Sequence, residues 1–129
     1  MQTNTYILLD EEIKKKCRLI ALFDDLLPFQ NEFAGIKISD HLYKRINSDG
    51  TEDIVGDLPY SLSYDWILPV LNKIKNMGCS VSVSMEKNEC ICSITNATLS
   101  ISKDSQDNPL VPIFDCVVEF ISKKYNIIL

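Results

Sequence analysis

Residues 79–103 read CSVSVSMEKNECICSITNATLSISK, and their alternation decides the fold. If Lys87-Asn88 is a two-residue turn, Met85 faces Cys90, Val83 faces Cys92 and Val81 faces Ile94. If Asn96-Ala97 is the next turn, Ile94 faces Leu99 and Cys92 faces Ile101. All these apolar side chains then share one face. Ser80, Ser82, Ser84, Ser93, Thr95, Thr98, Ser100 and Ser102 fall on the other, with Ile91 the exception. Side chains in a strand alternate with period two, so a one-residue slip would scramble both faces. The stretch predicts a three-stranded antiparallel meander. Neither turn carries the favoured Asn-Gly pair, which leaves the turn type open.

Helices flank this meander. Upstream, Ser63 to Asp65 open a helix that runs to Met77, with Gly78 as its C-terminal glycine. Trp66, Ile67, Val70, Leu71, Ile74 and Met77 form its apolar stripe, and Pro69 sits near the first turns, where a proline does least harm. Downstream, Asn108 caps a helix from Pro109 to Tyr125. Its face of Leu110, Ile113, Phe114, Val117 and Ile121 is widened by Cys116, Val118 and Phe120, as in a largely buried helix. The ending Ile127-Ile128-Leu129 is apolar and is expected to tuck against the body.

The first half is less regular. Asp10, Glu11 and Glu12 favour the start of a helix that Pro28 is expected to stop after Leu27. Lys14, Lys15, Lys16 and Arg18 lie among acids and read as a solvated helix face. Phe33 to Ile38 and His41 to Ile46 read as two short strands joined at Ser39-Asp40. Asn47 to Asp57 reads as a mobile polar loop. As a calcium loop it fails, because Gly50 at the obligatory glycine places Arg45 at the first ligand position and Gly56 at the final glutamate. The expected fold is α+β, in the order α-β-β-α-β-β-β-α, as one domain over residues 1–129, with an α/β/α sandwich as one form it can take.

Composition restricts the function classes. Of 129 residues 46% are hydrophobic, enough for a packed core. The net charge of −5 argues against general nucleic-acid binding, which needs cationic surface. Residues 1–65 carry 12 acids against 7 bases, which points to a basic partner surface. No apolar run approaches the ~20 residues a membrane helix needs, and no basic segment heads an apolar run at the start. Five irregularly spaced cysteines read as reduced thiols in a cytosol.

Few residues offer chemistry. His41 is the single histidine, so any Ser-His-Asp or Cys-His arrangement has to use it, and no motif surrounds it. Cys90 and Cys92 have the spacing of metal ligands, but alternation turns both onto the core face, and only one such pair exists. Neither catalytic nor metal residues are assigned, no cofactor is expected, and the balance leans away from an enzyme. The candidate site is the aromatic-acidic cluster of Tyr60, Tyr64, Asp65 and Trp66, with Asp57 beside it. Such a cluster suits stacking on a base or ring, or anchoring a partner protein.

The stretch Ser63-Tyr64-Asp65-Trp66-Ile67-Leu68-Pro69-Val70, followed by Ile74, resembles the signature of the phage ABA sandwich domain, where members often read Ser-Trp-Asp-Trp-Leu-Met-Pro-Val. Cys116 to Ile121, with Tyr125-Asn126, resembles that family's last helix. The resemblance covers most of residues 9–126 and is specific in these two stretches. Tyr64 stands where the family often has tryptophan. The resemblance implies helices layered on a sheet and a small phage or prophage protein in the bacterial host cytosol, with no catalytic residues to carry over. The expectation is an accessory protein that binds a host or phage protein. Its alternatives are a module that sequesters or senses a nucleotide-like small molecule, and a virion-associated component.

Overall fold

A computed structural model describes residues 10–28, 32–33, 36–37, 43–55, 58–106 and 108–127. They fall into two compact units, Met1–Pro59 and Tyr60–Leu129. The fold is α+β, and the expected succession of helix, antiparallel strands, helix, meander and helix is the observed one.

In the first unit α1 spans Glu11–Phe23. The Asp10 carboxylate accepts the Ile13 N–H at 2.9 Å, and Glu11 and Glu12 occupy the electropositive first turn. The helix ends before the expected Leu27. Asp25 takes a left-handed conformation (φ 63°), which lets the Leu26 N–H reach the Ala21 carbonyl at 2.9 Å and the Asp25 N–H reach that of Leu22 at 3.2 Å. This Schellman closure, rather than Pro28, stops the helix. Pro28 instead belongs to a strand.

Among the described residues five short strands follow. β1 (Leu27–Pro28), β4 (Tyr43–Ile46) and β5 (Glu52–Val55) form one antiparallel sheet in the order β1-β4-β5. β2 (Glu32–Phe33) pairs with β3 (Ile36–Lys37). The strand expected over Phe33–Ile38 is corrected: Phe33 belongs to β2 and pairs antiparallel with Ile36 of β3, so the span is not one strand. The strand expected over His41–Ile46 is seen from Tyr43 onward as β4, paired with β1 and β5; Ile38, the Ser39-Asp40 turn and His41 lie outside the described residues. The loop expected over Asn47–Asp57 is corrected. The chain turns at Asn47–Gly50, with Gly50 at φ 88°, and returns as β5, which pairs Glu52 with Ile46 and Val55 with Tyr43. The Arg45 guanidinium, on β4, reaches Asp24 beyond α1 at 3.0 Å.

In the second unit α2 spans Tyr64–Asn76 and buries Ile67, Val70, Leu71 and Ile74. Gly78 follows at φ 95°, a conformation that suits glycine, and its N–H closes on the Lys75 carbonyl at 3.1 Å. β6 (Ser80–Glu86), β7 (Glu89–Thr95) and β8 (Ser100–Ser105) form the meander. The first hairpin has the expected register, Val81 opposite Ile94, Val83 opposite Cys92 and Met85 opposite Cys90. The second does not. Ile94 faces Ile101 rather than Leu99, and Cys92 faces Lys103. The connection is a four-residue turn, Asn96 to Leu99, held by the Asn96 side chain. Its Oδ1 accepts the N–H groups of Thr98 and Leu99, both at 2.8 Å, and the Thr98 hydroxyl at 3.1 Å. Such Asx geometry competes well with a two-residue turn.

α3 (Leu110–Lys124) lies on β7 and β8 and also meets α2. Asn108 Oδ1 accepts the Leu110 N–H at 3.0 Å, the cap expected of it. Cys92, Ile94 and Ile101 are buried beneath α3's Cys116, Val117, Phe120 and Ile121. The cover over the apolar face is incomplete at β6, where Val83 is 43% and Met85 67% exposed. The hydroxyl face is open: Ser80, Ser82, Ser84, Ser100 and Ser102 are exposed, with a Ser93–Ser102 hydroxyl contact at 3.3 Å. At the end of α3, Ile127 is 36% exposed, and Ile128 and Leu129 lie outside the described residues.

Two outcomes follow for the turns. Asn96→Ala removes four side-chain bonds, the three at Oδ1 and one from Nδ2 to the Cys79 sulfur at 3.6 Å, and should lower unfolding stability by about 1–2 kcal/mol in urea titration. Hydrogen bonds from the Thr51 hydroxyl (2.6 Å) and N–H (2.9 Å) hold the Asp49 carboxyl below the usual aspartate range. A lowered folded value means that this contribution is present above the unfolded aspartate pKa of about 3.9 and is lost as pH falls through the folded value. An NMR pH titration should place the Asp49 midpoint below ordinary aspartate, and Thr51→Val should raise it.

Candidate functional site

The segment leading into α2 carries the candidate cluster. Tyr60 precedes the helix by a tight turn and is fully buried. Its ring meets that of Trp66, in the first turn of α2, edge-on with centroids 5.3 Å apart and planes at 86°. That is the geometry aromatic quadrupoles favour, and it makes the pair a packing unit. Tyr64 is 41% exposed, and Asp65 is exposed in the first helical turn, where a carboxylate suits the helix dipole. The structure therefore divides the four residues into an inner pair, Tyr60 and Trp66, and an outer pair, Tyr64 and Asp65. Asp57 lies outside the described residues.

Two further residues join the outer pair. Leu62 is 51% and Leu68 46% exposed. Leu68 stands four residues after Tyr64 and so shares its helix face. The signal was present in the sequence, since Leu68 falls outside the stripe of Ile67, Val70, Leu71 and Ile74. Between Tyr60 and Leu62 the Ser61 hydroxyl is buried and has no hydrogen-bond partner among the described residues.

The thiols are placed for packing. All five cysteines are buried and unpaired by disulfides. The Cys116 thiol donates to the Cys92 carbonyl at 2.9 Å across the α3–β7 contact. The Cys92 thiol in turn donates to the Cys116 sulfur, and this bond, together with burial, pushes the Cys92 thiol up, so this group is neutral at physiological pH and is no nucleophile. Among the described residues no three His, Cys, Asp or Glu side chains converge as metal ligands. Among them also no helix is long and apolar enough to cross a membrane. His41 lies outside the described residues.

Comparison with protein-family models, curated proteins and solved structures finds no match to this chain.

The unpartnered Ser61 hydroxyl gives a direct check on the site. A buried hydroxyl without a partner forfeits its hydration, so Ser61→Ala should raise unfolding stability by about 1 kcal/mol. A drop of that size in the melting experiment would instead give the hydroxyl a partner.

Proposed function

We propose that the chain is a non-enzymatic protein-binding module, an accessory protein of phage or prophage origin acting on a host or phage protein in the bacterial cytosol. The origin rests on the resemblance of Ser63–Val70 and Cys116–Ile121 to the phage ABA sandwich domain. The binding role rests on one observation: Tyr64 and Leu68, one turn apart on α2, are both exposed, as are Leu62 just before the helix and Asp65 in its first turn. Apolar side chains grouped around a tyrosine and rimmed by charge are the composition of a protein-binding hot spot. Tyr60, which the small-molecule reading needs for stacking, is fully buried and engaged by Trp66.

A tagged pull-down from bacterial lysate, read by mass spectrometry for proteins and metabolites together, tests this role. One stoichiometric protein is expected. Tyr64→Ala should weaken its binding by about 2 kcal/mol, roughly thirtyfold, without altering the melting temperature. A retained metabolite with no protein would move the function to small-molecule sequestration.

A further inference from the structure

The two edges of the meander differ. β8 carries Lys103 and Asp104, and Lys103 pairs with Glu119 of α3 at 3.2 Å. Charges of this kind protect a sheet edge from pairing. β6 has no charge, proline or glycine from Ser80 to Met85, and among the described residues it is hydrogen-bonded in the sheet to β7 alone. The pair flanking a two-residue turn, here Glu86 and Glu89, exchanges hydrogen bonds, and such pairs alternate along an antiparallel ladder. Glu86, Ser84, Ser82 and Ser80 therefore spend their backbone groups on β7. Val81, Val83 and Met85 turn theirs to the open edge. Val83 and Met85 are also exposed, although the β7 residues opposite them, Cys92 and Cys90, are buried.

We propose that the occupant of this edge is a second copy of the chain, joined by antiparallel pairing of β6 on β6 about a two-fold axis at Val83. This register sets Val83 against its own copy, Val81 against Met85, Ser82 against Ser84 and Ser80 against Glu86. The three residues with free backbone groups meet each other, which gives six hydrogen bonds between the chains. A dyad perpendicular to the sheet keeps the apolar side chains of both copies on one face. Charge selects the same register. Moving the centre to Ser84 opposes Val81 to Lys87, moving it to Ser82 leaves Glu86 opposite Gly78 with no strand partner, and parallel pairing in register would stack Glu86 on Glu86. The surface consists of residues other than those at the start of α2, so the inference goes beyond the binding role proposed above.

The test uses sedimentation equilibrium and thiol cross-linking on the full chain. The wild-type chain should dimerise, and Val83→Lys, which sets two ammonium groups at the dyad, should weaken association at least tenfold with the circular dichroism spectrum unchanged. Val83→Cys faces itself and should form a covalent dimer in a glutathione redox buffer, while the native thiols stay buried. Met85→Cys is at a more exposed position but faces Val81, so it should cross-link far less by itself and readily when mixed with Val81→Cys. A wild-type chain that stays monomeric at its highest soluble concentration overturns the proposal. So does a dimer indifferent to Val83→Lys, or equal cross-linking by Val83→Cys and Met85→Cys alone.

Discussion

The seating of α3 on β7 and β8 is the contact from which the second unit takes its order. Nine of the fifteen residues of α3 are buried, so this helix has little surface to give to water. Beneath it Cys92 and Ile94 of β7 and Ile101 of β8 are almost completely excluded from solvent. Each branched side chain so buried contributes about 1.5–3 kcal/mol. The two cysteines at the contact matter through their size. Cys92 and Cys116 are small enough for helix and strand to approach until the Cys116 thiol donates to the strand's own carbonyl. A bulkier residue at either position would lift the helix from its sheet. The Lys103–Glu119 ion pair adds little energy at the rim, being partly exposed, but it orients the last strand under the helix.

What was legible in the sequence follows from which symmetry each element breaks. The meander could be read because a one-residue slip exchanges its faces, so alternation alone fixes the first hairpin. The second hairpin could not be fixed in this way. A shift of two residues, from Leu99 to Ile101 opposite Ile94, leaves both faces unchanged. Only the Asn96 side chain, folded back on Thr98 and Leu99, chooses between the registers. The same kind of local chemistry hid the end of α1. Asp25 occupies a conformation more often given to glycine, and Pro28 offered a more conspicuous but wrong stop. β5 was hidden because Glu52, Asp53 and Ile54 are all exposed, so the strand has no alternation to show.

The candidate site was partly legible for a related reason. Residue type marks Tyr60, Tyr64, Asp65 and Trp66 as a group, but it does not say which rings pack and which face outward. Tyrosine serves both purposes, having an apolar ring and a polar end. The division is made by the helix itself. Trp66 shares the buried side with Ile67 and Val70, whereas Tyr64 and Leu68 look the other way. Leucine on the outer side of an otherwise well-sorted helix is the feature that sequence periodicity could have isolated. Residue-by-residue chemistry passed over it because leucine has no chemistry to notice.

The bare edge at β6 follows from simple dimensions. A helix with its side chains is about 10 Å across, and neighbouring strands are about 4.8 Å apart, so one helix covers two strands. α3 takes β7 and β8, which leaves β6 to α2. The connection from α2 to β6 is only Met77, Gly78 and Cys79 long, so α2 ends beside the start of the strand. Cover therefore falls off along β6. Val81 is partly shielded, and Val83 and Met85 are not. The apolar alternation nevertheless continues to Met85, past the point that either helix of this unit covers. A strand that keeps its core pattern beyond its own core is composed for a further layer of structure, and its free backbone edge is on the residues that carry that pattern.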